Sequence, residues 1–238
     1  VSGILRFGDP AALPDPEAVI FDLDGTLVDT IPARVRAWVE AMESAGIAAD
    51  ARLAGLMMGR DGRHAARALF AAAGREATDA EVEQVDAEAG ERFARYNVAP
   101  SLLPGVGPLV QALAAGDRLR WSIGTSSRRA SIDASIRALG LAVPPPVTDG
   151  THVAEAKPAP DLLLRAAADL GVAPARCWYV GDATWDMIAS RAAGMTPVAV
   201  ETGAADTEML AREGAAVVWV MMDGVHEELA RRGLVRGR

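Results

Sequence analysis

Short apolar runs recur along the chain at Ala18–Phe21 (AVIF), Trp121–Gly124 (WSIG), Cys177–Val180 (CWYV), Pro197–Val200 (PVAV) and Ala216–Val220 (AVVWV). A strand wetted on one face alternates apolar and polar residues. A strand covered on both faces reads as a nearly continuous apolar run. These runs are of the second kind and are followed by polar or turn-forming residues. They predict a buried parallel sheet.

Helical periods lie between them. In LLLRAAADLG, the residues Leu163, Ala166, Ala167 and Leu170 fall on one helical face, and Gly171 supplies a stop. The segment after Asp182 also closes on a glycine, Gly194, ahead of the next run. Strand and helix alternate in this way from Trp121 onward, which predicts an α/β fold, doubly wound around a parallel, Rossmann-like sheet.

The stretch from Thr30 to Ala99 breaks the alternation, because it contains no convincing strand. Val35, Trp38, Val39 and Met42 share one helical face, and Ala66, Leu69, Phe70 and Ala73 share another. Thr78 and Glu81 have the spacing of a capping box that opens a third helix, with Val82, Val85, Ala89, Phe93 and Tyr96 on its inner face. Pro32 stands at the start of this stretch, and Pro100 and Pro104 stand beyond its end. The expectation is an all-helical domain over residues 30–99, inserted into an α/β core made of residues 1–29 and 100–238.

Composition narrows the function. Half of the 238 residues are hydrophobic and 24% are charged, as in a soluble globular protein. The net charge of −8 argues against nucleic acid as a partner, since phosphate backbones attract basic surfaces. A few local cations still suffice for a small anion. A single cysteine, Cys177, excludes an intrachain disulfide and agrees with a reducing, cytoplasmic setting. The opening stretch VSGILRFGDPAALPDPEA is broken by Asp and Pro and lacks a signal-peptide core. No run of about 18 apolar residues predicts a membrane span.

The chemistry begins where the first run ends, in FDLDGTLVDT. Open parallel sheets bind ligands beyond the carboxyl ends of their strands. Asp22 follows the first run, Thr125 the second and Asp182 a later one, so distant parts of the chain converge on one sheet edge. Asp22, Asp24, Asp182 and Asp186 gathered there repel one another unless a cation offsets them. A hard divalent ion with oxygen ligands, Mg²⁺, fits that need.

FDLDGTLVDT, GTSS, AKPAP and VGDATWDM, in this order and spacing, resemble the four motifs of the haloacid dehalogenase superfamily. The resemblance is to its phosphatase branch, with a helical cap inserted after the first motif as in phosphoglycolate phosphatases and β-phosphoglucomutases. It runs from Ala18 to about Val220. It implies that Asp22 is the nucleophile, forming an aspartyl-phosphate, and that Asp24 is the general acid/base. Residues i and i+2 of an extended segment point the same way, which suits that pairing. It further implies that Thr125 and Ser126 hold the phosphate and that Lys157, the sole lysine, steadies the nucleophile and the phosphoryl group. Asp182 matches a metal ligand and Asp186 an outer or water-mediated one. On the residues alone, Thr125, Ser126 and Ser127 also read as caps of the helix that follows, Asp186 as a helix N-terminal acid, and Trp185 as either a wall of the site or packing.

In such enzymes the cap chooses the substrate. Arg60, Arg63 and His64, in the glycine-bearing stretch MMGRDGRHAAR, offer donors to the far end of a small phosphorylated metabolite. Mutases of the family tend to carry Glu-Asp where this chain has Gly181-Asp182, which favours hydrolysis. Asp24 speaks against haloalkanoate dehalogenation. The lysine-free stretch over residues 30–99 speaks against phosphonate chemistry through a Schiff base. The expectation is therefore a Mg²⁺-dependent phosphatase of phosphoglycolate or a sugar phosphate, acting as a monomer or homodimer. A hexose-phosphate mutase and a non-catalytic binding protein on the same fold are the alternatives.

Overall fold

In a computed structural model, which describes residues 3–237, a seven-stranded sheet runs in the order β1-β7-β6-β5-β2-β3-β4. The strands are β1 (Leu5–Gly8), β2 (Ala18–Phe21), β3 (Arg120–Gly124), β4 (Val147–Thr148), β5 (Cys177–Gly181), β6 (Thr196–Val200) and β7 (Val217–Trp219). All pair in parallel except β1, which runs antiparallel to β7 at the edge. The five apolar runs thus become β2, β3, β5, β6 and β7. β1 and the two-residue β4 add an edge at each end.

Helices α5 (Val106–Ala115), α6 (Arg129–Ala138), α7 (Asp161–Leu170), α8 (Thr184–Ala192), α9 (Thr207–Arg212) and α10 (Met222–Arg231) cover the sheet. The period-two alternation of β2 sorts its side chains. Val19 and Phe21 pack with Leu109, Val110, Ile132, Ile136 and Leu229 on one face. Ala18 and Ile20 pack with Leu162, Leu163, Ala166 and Ala167 on the other. Every residue of β2 and β5 is buried, which explains their unbroken apolar character.

Four helices follow the first motif: α1 (Ile31–Ser44), α2 (Ala51–Leu56), α3 (Gly62–Ala72) and α4 (Asp79–Tyr96). They share an apolar cluster of their own, including Trp38, Met42, Leu69, Phe70, Val82 and Val85. The Thr78–Glu81 capping box forms at the start of α4. Short α2 has no marked apolar period and owes its start to Asp50, whose carboxylate accepts from the Leu53 amide.

β2 is the topological switch point. From it the chain steps to β3 and β4 on one side, and to β5, β6 and β7 on the other. Phe21 is in register with Ile123 of β3 and Val180 of β5. The residues that follow these strands are thereby brought level at the crevice where open α/β sheets bind ligands.

Candidate active site

Asp22 leaves the end of β2 with its amide still donating to Val180 O at 2.8 Å, so its carboxylate is fixed to the sheet edge. Lys157, fully buried, reaches it from the loop before α7. Its Nζ donates to Asp22 Oδ1 at 2.6 Å, Asp186 Oδ1 at 2.7 Å and Tyr179 Oη at 3.0 Å. An ammonium has three donors, and here each has an acceptor. Asp186 uses its second oxygen to accept from the Ala183 amide at the start of α8, at 2.9 Å. It is therefore both the helix N-terminal acid and a partner of the lysine.

Asp182 follows β5 and accepts from Thr26 Oγ1 at 2.6 Å. Oxygens of Asp22, Asp182 and Asp186 all lie within 4.8 Å of one another, and all three residues are buried. Two glycines let the chain close round these acids. A Cβ on Gly25, where φ is +86°, would meet Asp182 Oδ2 at 2.5 Å, and one on Gly181 would meet Asp186 Cγ at 2.4 Å. The group holds three carboxylates against one ammonium. Burial, with Lys157 opposing and the neighbouring acids adding, pushes Asp22 up to about 7. Burial together with Asp186 and Asp22 carries Asp182 well above the carboxylate range. An all-oxygen donor set with excess negative charge in a buried site suits a hard divalent cation.

Asp24, expected among the metal-binding acids, lies outside that group. Its carboxylate accepts instead from Arg34 Nη2 at 2.6 Å, Thr30 Oγ1 at 2.7 Å and Ser127 Oγ at 2.7 Å. β2 ends at Phe21, so the period-two rule that would point Asp22 and Asp24 the same way stops before both of them. Burial works to raise the Asp24 pKa, but the Arg34 charge and these hydrogen bonds outweigh it and hold the group below its ordinary value. Lys157 shows the converse: burial lowers it, and Asp186 and Asp22 lift it well above the usual range. One carboxylate pair in the first motif is thus split into two environments, Asp22 among acids and Asp24 among donors.

Thr125, buried at the end of β3, accepts from the Ser127 amide at 3.2 Å. Ser126 Oγ crosses to the helical block and donates to Gly59 O at 3.0 Å. These residues do not cap α6 with their side chains, because that helix begins at Arg129 with Arg128 as its cap residue. A cavity of about 430 Å³ opens over the sheet edge, lined by Asp22, Asp24, Thr125 and Ser126 from below, by Arg60 from the turn between α2 and α3, and by Arg63 from α3. His64 sits on the exposed side, 3.5 Å from Asp61. Trp185 stacks under Arg60, 4.2 Å from its guanidinium carbon.

Arg34, Thr30, Thr26 and Tyr179 have no assigned part in the sequence reading, and Ser127 is read there only as a helix cap. Arg34 sits one helical turn beyond Thr30, the only signal that places it over Asp24. Tyr179 alternates with Val180 along β5 and so faces the Lys157 side. Cys177 is buried, and burial raises its thiol to about 11, which makes it inert.

A family model described as haloacid dehalogenase-like hydrolase matches residues 16–194. The chain is 34% identical over 211 residues to a phosphoglycolate phosphatase of Rhodospirillum rubrum, covering 86% of this chain and 87% of the relative. It is 31% identical over 198 residues to a β-phosphoglucomutase of Bacillus subtilis, covering 79% of this chain and 84% of the relative. Among solved structures, a hydrolase from Pseudomonas syringae matches with a TM-score of 0.85 at 30% identity, over 90% of this chain and 98% of that one. No helix among the described residues is long and apolar enough to cross a membrane.

Proposed function

The chain belongs to the haloacid dehalogenase-like hydrolases, and from that premise we propose that it is a Mg²⁺-dependent phosphatase of a small organic phosphomonoester, of the phosphoglycolate or sugar-phosphate kind. The observation that carries this reading is the division of labour at the cavity floor. Asp22 is clamped by Lys157 beside two further acids, while Asp24 is held separately by Arg34.

In the reading, Lys157 fixes Asp22 Oδ1, and Oδ2 attacks phosphorus. An Asp22–phosphorus bond forms as the bond to the leaving oxygen breaks, and that oxygen takes a proton from Asp24. Water then attacks the aspartyl-phosphate, Asp24 accepts the water's proton, and phosphate and the Asp22 carboxylate are regenerated. A charged Asp24, the form that Arg34 and its hydrogen bonds favour, is what the second step needs. Acting as the acid requires it to take up a proton and leave Arg34. Asp22, Asp182 and Asp186 would hold the cation, whose charge offsets these acids and the phosphoryl oxygens. Thr125 and Ser126 would bind the transferring group. The helices over residues 30–99 would act as the cap, with Arg60 and Arg63 toward the leaving part.

Gly181 supports hydrolysis over phosphoryl return to a sugar. Its missing side chain is required by Asp186 at 2.4 Å, so the glutamate that mutases of the family tend to carry there has no room in this arrangement. The test is phosphate release from a panel of phosphomonoesters and an aryl phosphate, with Asp22→Asn alongside. Mg²⁺-dependent release that is lost by several orders of magnitude in a folded Asp22→Asn protein is expected. Near-normal turnover by that variant, or an isomerised ester in place of free phosphate, would exclude the reading.

A further inference from the structure

The cations that line the cavity are not equivalent. Arg34 is paired with Asp24 at 2.6 Å, Arg63 with Asp61 at 3.5 Å, and Arg128 with Asp86 at 3.1 Å. Among the described residues, no carboxylate forms an ion pair with Arg60; Asp61, whose charge acts on it, is engaged with Arg63 and does not outweigh its burial. Its Nη1 makes only a weak contact with Met57 Sδ at 3.6 Å, and its Nε is buried without a hydrogen-bond partner. An orphaned, charged donor in a half-buried position is costly unless a ligand completes it.

Arg60 is also held in place. Its guanidinium stacks on Trp185, whose indole Nε1 donates to Leu56 O at 2.8 Å. Ser126 Oγ donates to Gly59 O at 3.0 Å, and the Asp61 amide donates to Lys157 O at 2.9 Å. The turn bearing Arg60 is therefore tied to the core on both sides of the residue. Trp185 adjoins Asp186 on the first turn of α8, so the platform under Arg60 is rigidly linked to the acidic group.

Building on the phosphatase reading, we propose that Arg60 determines specificity by receiving a carboxylate of the substrate, so that the preferred substrates are small phosphomonoesters of hydroxy acids or sugar acids. A planar guanidinium with free in-plane donors matches a carboxylate in charge and shape. A sugar hydroxyl brings no charge to the guanidinium, whose burial is only partly offset by the neighbouring Asp61. A second phosphate carries about two negative charges against one guanidinium, in a cavity that Asp61 and Asp86 also line.

The experiment uses matched pairs that differ only in the acid: 2-phosphoglycolate against 2-hydroxyethyl phosphate, and 6-phosphogluconate against sorbitol 6-phosphate. The first pair reads a hydroxy acid and the second a sugar acid. kcat/KM should favour the acid of at least one pair by about tenfold or more. Arg60→Gln should erase that preference, lowering kcat/KM for the acid by about tenfold more than for its alcohol partner or an aryl phosphate, and Arg60→Lys should keep part of it. Titration calorimetry of the same pairs with Asp22→Asn reads the preference without turnover. Tighter binding of the acids in a protein that hydrolyses no phosphoester would overturn the phosphatase reading but support this one. Hydrolysis with both pairs equal, or a preference that survives Arg60→Gln, would overturn this one and leave the phosphatase reading standing.

Discussion

Without a metal, the protein should become more stable as pH falls from about 8 to about 5, opposite to the usual acid destabilisation. The cause is the acidic group at the sheet edge. Asp22 titrates at about 7 in the fold against an ordinary 3.8, chiefly because burial disfavours its charge. Between those values the folded chain keeps a proton that the unfolded chain has lost, so stability declines as pH rises through this window. At about 1.36 kcal/mol per pH unit, the full difference is worth about 4 kcal/mol. Asp182, raised well above its ordinary value, adds in the same sense. Groups with lowered values act the other way, but lower on the scale. Asp24 is held down against burial by Arg34, and Glu40 is held at about 2, first by Tyr96. Their stabilisation is present above the ordinary carboxylate pKa and is lost as pH falls through the folded values, below the window used here. Saturating Mg²⁺ should abolish the slope, because a bound cation takes the place of the protons, and it should add about 2.7 kcal/mol at a hundredfold excess over Kd. Urea unfolding at several pH values, in chelator and in Mg²⁺, reads both effects. Stability that rises between pH 5 and 7 in chelator, or the same slope in Mg²⁺, would refute the account.

Lys157→Met removes the ammonium from two buried carboxylates, and a loss of about 3–5 kcal/mol at neutral pH is expected in chelator. Lower pH should restore part of it as Asp22 takes up a proton, and an unchanged urea midpoint would rule out Nζ as the countercharge. Arg34→Gln leaves Asp24 buried without its cation, so the Asp24 pKa should rise and the acidic limb of kcat against pH should move upward. The same limb in wild type and variant would mean that this pair does not set it. Ca²⁺ should replace Mg²⁺ in binding but not in turnover, since it takes more oxygens at longer distances and would draw both oxygens of Asp22. Equal rates in the two ions, measured by phosphate release, would contradict this.

Much of the molecule is legible without a structure. A strand buried on both faces has no choice but to be apolar, so β2, β5, β6 and β7 declare themselves, and the acids and hydroxyls that break the runs mark the strand ends. The Thr78–Glu81 spacing likewise fixes the start of α4, because a capping box is local chemistry. β1 is different. All four of its residues are exposed, so no burial pattern announces it, and only the open edge of β7 makes it a strand. The site divides in the same way. The identities of Asp22, Asp24, Lys157, Asp182 and Asp186 are carried by motifs, but their partners are not. Tertiary structure decides that Arg34 from the helical block neutralises Asp24 while Lys157 neutralises Asp22, a separation set by where β2 ends and by which side chains face each carboxylate. It also decides that Arg60, similar to the other arginines in sequence, forms no ion pair with a carboxylate among the described residues, because ion pairing depends on distances between segments that no local pattern encodes.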